Sequence, residues 1–211
     1  MVQSNDLYDA ILIGDAKKSH AATQAALAAG AAPLQLISES MVPAMDEVGR
    51  LFEAEEYYVP ELLLAGRAMR SALELLRPLM TASGDKLSTR VVIGTVKGDL
   101  HDIGKNIVGS MLEGGGFEVI DLGADVSPEK FVAAVEEQKP QIVCLSALLT
   151  VTMPAMKTTI DALKTAGLRT QVKVLIGGAP VTPQYAKEIG ADGYSENASG
   201  AVSLVKTLLG V

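Results

Sequence analysis

The sequence predicts an α/β protein in two parts, a small bundle of four helices followed by a doubly wound, five-stranded parallel sheet. Three observations predict it. Apolar residues recur at three- to four-residue spacing as far as residue 83. A small polar stretch, 81–89, then has the composition that joins domains. Beyond it, short apolar runs alternate with helical segments, as in a parallel sheet covered on both faces. The expected boundaries are 1–83 for the bundle, 84–89 for the linker and 90–211 for the sheet domain.

In the bundle, Asp15 is placed to cap an alanine-rich helix over 16–29 that stops at Gly30. Leu34, Ile37, Met41, Met45 and Val48 mark the next apolar face. Pro60 stands where a first-turn proline is tolerated, and Leu62, Leu63, Leu64, Met69, Leu73 and Leu76 follow it. In the second part strands are predicted at 91–95, 118–122, 142–146, 172–176 and 193–195. Helices are predicted near 104–114, 127–138, 153–167, 182–190 and 197–209. This alternation suggests the flavodoxin-like, Rossmann-type strand order 2-1-3-4-5, in which ligands bind beyond the carboxyl ends of the strands where strands 1 and 3 diverge.

Composition narrows the function. The chain has 211 residues, 48% apolar and 20% charged, enough for a core of ordinary size. Its net charge is −7, and residues 1–83 hold 11 acids against 6 bases, which argues against a sequence-independent nucleic-acid binder. One cysteine excludes an intrachain disulfide and a multi-cysteine zinc site, and fits a reducing compartment. Residues 1–9 show no basic start followed by an apolar run, and no stretch reaches the roughly 18 apolar residues of a membrane span. A cytoplasmic protein with no membrane partner is expected. Aromatics are scarce, with no Trp, three Phe and five Tyr, yet Phe52, Tyr57 and Tyr58 fall within seven positions.

Shortly after strand 1 comes Gly98-Asp99-Leu100-His101-Asp102-Ile103-Gly104. A histidine between a strand end and a helix start, with an acid two residues away, can bind a metal through one ring nitrogen while the carboxylate holds the other. The same residues also read as a capped loop, with Asp99 or Asp102 capping the helix, His101 on the surface and Gly104 easing the turn; taken alone they favour that reading. The segment is not a phosphate loop, because the Gly-x-x-x-x-Gly-Lys-Ser/Thr spacing is absent. Strand 3 ends in Ser146, with Leu148, Thr150 and Thr152 just beyond, and strand 4 ends in Gly177-Gly178-Ala179, where missing side chains admit a bulky ligand. Histidine, small hydroxyls and glycines thus converge on one rim.

Asp-x-His-x-x-Gly at 99–104, Ser-x-Leu at 146–148 and Gly-Gly at 177–178, with gaps of 41 and 28 residues, resemble the signature of the cobalamin-binding domain of methionine synthase, corrinoid methyltransferase proteins and some mutases. The resemblance implies cobalamin or a related corrinoid with its own base displaced from cobalt. His101 would be the lower axial ligand to cobalt, Asp99 would hydrogen-bond its distal nitrogen, and Thr152 matches a relay hydroxyl that is usually Ser. Gly98, Leu100, Asp102, Ile103 and Gly104 would surround that ligand. Ser146, Leu148, Thr150, Gly177, Gly178 and Ala179 fall where the family holds the displaced nucleotide tail. Gly193, Tyr194, Ser195 and Asn197 are further tail positions, which equally read as a loop capping the last helix.

The stretch 48–62, with Val-Gly-x-x-Phe, an acidic turn and an aromatic-x-Pro element, resembles the helical cap of methionine synthase and of the small corrinoid carriers. Phe52, Tyr58 and Val59 match positions that cover the methyl-bearing face; bundle core is the alternative for Phe52 and the tyrosines. The resemblance implies a carrier that passes a methyl group, in a methyl-cobalt(III)/cobalt(I) cycle, from a substrate-specific methyltransferase to a second one using tetrahydrofolate or a thiol, with a reductive activase as a further partner. No segment is large enough to be a substrate-binding barrel, so the chain is expected to be a carrier subunit and not a complete enzyme by itself. A cobalamin-dependent regulator, a mutase small subunit and a flavodoxin-like domain without corrinoid, such as a receiver-type regulator, are the alternatives; the last leaves the joint spacing of the three motifs unexplained. The first needs a basic recognition helix that residues 1–83 lack, and the second needs no such cap.

Overall fold

The computed structural model describes residues 3–83 and 89–210. The expected linker therefore lies, but for Thr89, outside the described residues. The chain forms two compact units, Met1–Ser88 with Ser110–Phe117, and Thr89–Gly109 with Glu118–Val211.

The first unit is helical: α1 (Gln3–Leu12), α2 (Ala16–Ala28), α3 (Pro33–Leu36), α4 (Val42–Glu53) and α5 (Val59–Ser83). The Asp15 carboxylate caps α2, accepting from the Lys18 N–H at 3.0 Å. The apolar run from Leu34 to Val48 was expected as one helix. It is instead interrupted by a π-helical turn, Ile37–Met41, between α3 and α4. Pro43 supplies the reason: it has no N–H to give the carbonyl four residues back, and its ring needs the wider turn. Glu61 reaches back from the first turn of α5 to the Tyr58 N–H at 2.9 Å, the acidic half of a capping box. Small residues let α2 lie close to α5. Ser19 donates to the Ala68 carbonyl at 2.8 Å, and Thr23 donates to the Ser19 carbonyl at 2.8 Å. Leu7, Ile11, Met41, Met45, Leu62, Met69, Leu73 and Leu76 fill the core.

The second unit holds β1 (Arg90–Thr95), β2 (Glu118–Asp121), β3 (Ile142–Ser146), β4 (Lys173–Gly177) and β5 (Gly193–Tyr194), all parallel in the order β2-β1-β3-β4-β5. This is the expected order, with each strand displaced by a residue at most at either end. β1 and β3 are buried on both faces, which is why they read as unbroken apolar runs. Between them run α6 (Ile103–Gly114), α7 (Pro128–Gln138), α8 (Pro154–Thr165), α9 (Pro183–Ile189) and α10 (Ala198–Leu209). Ser127-Pro128 and Thr182-Pro183 start α7 and α9 alike: a hydroxyl accepts an orphan N–H, and proline takes the first position. Register places Thr95 beside Ser146 and Ser146 beside Gly177, so the row at the carboxyl end is made of small residues. Cys144, in β3, is buried, and burial pushes its thiol up to about 12, so it is no nucleophile at neutral pH.

Candidate functional site

The loop after β1 is built to turn one carboxylate inward. Asp99 is 0% exposed. Its Oδ1 accepts from the His101 N–H at 3.0 Å and meets His101 Nδ1 at 2.7 Å. Its Oδ2 accepts from the N–H groups of Leu148 at 2.8 Å and Leu149 at 3.3 Å, and from the Thr152 hydroxyl at 2.7 Å. Burial pushes this carboxyl up, but the Thr152 hydroxyl, the N–H groups of His101 and Leu148 and the His101 imidazole together outweigh it and hold Asp99 well below the usual carboxylate range. Asp99 is therefore an anion, and the proton between it and the imidazole sits on Nδ1. Asp99 does not cap α6, so the capped-loop reading is set aside for it. Asp102 stays local, accepting from the Asn106 side chain at 3.1 Å.

The other imidazole nitrogen, Nε2, has no partner among the described residues, and the His101 side chain is 51% exposed. The Thr95 hydroxyl donates to the His101 carbonyl at 3.0 Å and pins the loop to the end of β1. Around His101 the surface is apolar: Leu100, Ile103, Leu148, Leu149 and Val151 are all exposed. Exposed aliphatics grouped about one polar donor mark a ligand surface.

Gly178, just past β4, has φ +131°, and a Cβ there would meet the Ala147 carbonyl oxygen at 1.9 Å. Only glycine fits both the backbone and that approach. Gly104 is the opposite case: a Cβ there would meet nothing within 4 Å, so the packing of this chain does not demand glycine. Ser146, Gly177 and Thr152 lie with Asp99 at the carboxyl ends of the central strands, and Thr150 is exposed beside them. Gly193 and Asn197 have roles inside the fold. A Cβ on Gly193 would meet Leu204 at 2.8 Å, and the Asn197 side chain caps α10 through the Gly200 N–H at 2.7 Å. Tyr194 packs partly buried against the sheet core.

Asp125 was not singled out from the sequence. It follows β2 in a left-handed conformation and accepts from the Gly98 N–H at 2.8 Å and from Lys97 at 3.0 Å, which hold its carboxyl below the usual range. It ties the end of β2 to the loop that carries Asp99. The one signal in the sequence was an acid just past a strand on the binding rim. Leu149 and Val151 were also missed, because an apolar residue in a loop reads as loop until its exposure is known. In the helical unit, Tyr58 and Val59 are exposed and Phe52 is half-buried, while the Tyr57 hydroxyl donates to the Leu12 carbonyl at 3.2 Å and so belongs to the bundle.

No group of three or more His, Cys, Asp or Glu side chains able to hold a metal occurs among the described residues. His101 offers one nitrogen with an apolar surround, which suits a metal already held in its own macrocycle. A parallel sheet with such a donor at its carboxyl rim, preceded by a helical bundle, is the arrangement that the resemblance to cobalamin-binding domains implies. Two models of the B12 binding domain match the chain, one over residues 89–203 and one over 3–77, and the chain belongs to that family. It is 45% identical to trimethylamine corrinoid protein 1 of Methanosarcina acetivorans over 95% of this chain and 94% of that one. It is also 45% identical to dimethylamine corrinoid protein 1 of the same organism, covering 84% of each. Among solved structures, the methanol:cobalamin methyltransferase complex of Methanosarcina barkeri matches with a TM-score of 0.88 and 31% identity, covering 99% of this chain and 80% of that one.

Proposed function

We propose that this chain is the corrinoid-carrying subunit of a methyltransferase system, taking a methyl group from one methyltransferase and presenting it to another. The observation that carries the reading is His101, with Nδ1 fixed on a buried anionic Asp99 and Nε2 turned out to an apolar rim. When bound, the corrinoid supplies the cobalt that accepts and releases the methyl group. His101 Nε2 would bind that cobalt, and Asp99 would orient the ring and strengthen it as a donor by holding the Nδ1 proton. Thr152 fixes the second Asp99 oxygen, so the carboxylate cannot swing away from the imidazole. Leu100, Ile103 and Leu148 seat the macrocycle. Gly98 keeps the loop turned, and Gly104 leaves room for close approach, which explains a glycine that the protein's own packing does not require.

Ser146, Thr150, Gly177, Gly178 and Ala179 hold the nucleotide tail, with Gly193, Tyr194 and Asn197 shaping its far end. In the helical unit Phe52, Tyr58 and Val59 shield the reactive face from water. The names of the relatives support a methylamine as the ultimate methyl donor, bound by the partner rather than by this chain. The second methyltransferase delivers to tetrahydrofolate or a thiol, and a reductive activase restores oxidised cofactor. No helix among the described residues is long and apolar enough to cross a membrane, and we place the protein in the cytoplasm.

Electron paramagnetic resonance of the corrinoid-loaded protein in the cobalt(II) state tests the site. The native spectrum should carry nitrogen hyperfine splitting that His101→Ala removes. Identical splitting in the variant would remove His101 from the axial position.

A further inference from the structure

We infer that the groove between α2 and α5 is a docking surface for a carboxylate-rich segment of a partner protein. The inference rests on the carrier reading only for who that partner is, one of the methyltransferases. The groove has a volume of about 460 Å³ and is lined by Lys17 and His20 from α2 and by Arg67, Arg70, Ser71 and Glu74 from α5. Residues 1–83 hold 11 acids and 6 bases, and three of those bases meet here. Arg70 is partly engaged, donating to Ser110 Oγ at 2.7 Å and to Glu113 at 3.4 Å. Lys17 and Arg67 are exposed and have no ion pair among the described residues.

Arg67 and Arg70 stand three apart on one helix, and like charges that close together weaken an isolated helix. Glu113 offsets Arg70, but Lys17 and Arg67 have no such ion pair among the described residues, so folding gains nothing from their charges. An anionic occupant does, because guanidinium forks take carboxylates two hydrogen bonds at a time. The groove is open and its cations are exposed, so it cannot enclose the 70–90% or so of surface that a small-molecule site buries. An open basic face on an acidic chain suits a protein surface instead, where complementary charge speeds encounter and fixes orientation.

The test titrates the full chain into fluorescein-labelled hexaglutamate at low ionic strength, read by anisotropy. Lys17→Glu and Arg67→Glu should each weaken binding about tenfold. Lys187→Glu, exposed on α9, should stay within about twofold of native. In methyl transfer with the co-purifying methyltransferase, Arg67→Glu should raise KM for this chain with kcat and bound corrinoid unchanged. Equal peptide affinity in native and Arg67→Glu protein overturns the groove assignment and leaves the carrier reading standing, as does displacement of the peptide by micromolar pyrophosphate with KM unmoved. Methyl transfer absent from every variant overturns the carrier reading, and the peptide titration then decides the groove alone.

Discussion

The helical unit and the sheet unit bury polar side chains to different ends. In the bundle, Ser19 and Thr23 donate to main-chain carbonyls, Thr23 within its own helix and Ser19 across to α5, while the buried Ser40 hydroxyl in the π-helical turn has no partner among the described residues. In the sheet unit, Asp99 collects five donors from its own loop and from the 148–152 segment. The bundle hydroxyls are small polar groups tolerated where helices pack closely. The Asp99 network fixes the angle of one imidazole. A fully satisfied buried anion is costly to disturb and therefore directional, and that is the property an axial ligand needs.

The largest expected effect is at Gly178. Gly178→Ala sets a Cβ on the Ala147 carbonyl at an unfavourable φ, and should cost about 4 kcal/mol or more, seen as a fall in Tm of roughly 10 °C or a failure to fold. Asp99→Asn comes next, at about 3 kcal/mol, since an amide presents donors to donors. Its pH dependence has a definite sign. The folded carboxyl titrates below its unfolded value of about 3.9, so its contribution is complete above that pH and is lost as the pH falls toward the folded value. The native protein should therefore lose stability below about pH 4 more steeply than Asp99→Asn, and parallel acid limbs in thermal melts would refute the buried anion.

A matched pair sharpens the comparison between units. Thr152→Val removes a hydrogen bond to a charge and should cost about 2 kcal/mol, whereas Thr23→Val removes only a within-helix bond and should cost less than about 1 kcal/mol in denaturant titration. Equal costs would mean that the Asp99 network is no more than ordinary packing. The smallest effect on stability belongs to Gly104→Ala, within about 0.5 kcal/mol of native because its Cβ meets open space. The same variant should weaken corrinoid binding, measured by spectral titration, and undiminished affinity would detach Gly104 from the site.

Much of this was legible in the chain. Element order, strand order and most element ends followed from local pattern, because capping and proline positions such as Ser127-Pro128 and Thr182-Pro183 act within a few residues. The rim was legible as motifs, since glycine and hydroxyl positions at strand ends report where a ligand can lie. The π-helical turn was not, although Pro43 was in view, because apolar spacing alone cannot show whether a proline ends a helix or widens it.

The sequence by itself determined the two-part α/β architecture and the class of cofactor, and it put forward the histidine proposed to meet it. Only the tertiary structure decided which way Asp99 turns. Its choice between capping α6 and binding the imidazole depends on donors at Leu148, Leu149 and Thr152, 49 to 53 residues away in the chain. The bracing by Asp125 and the seating of Gly178 on Ala147 were decided in the same way. Local pattern sets backbone conformation, but a buried carboxylate takes its direction from whichever donors folding brings to it.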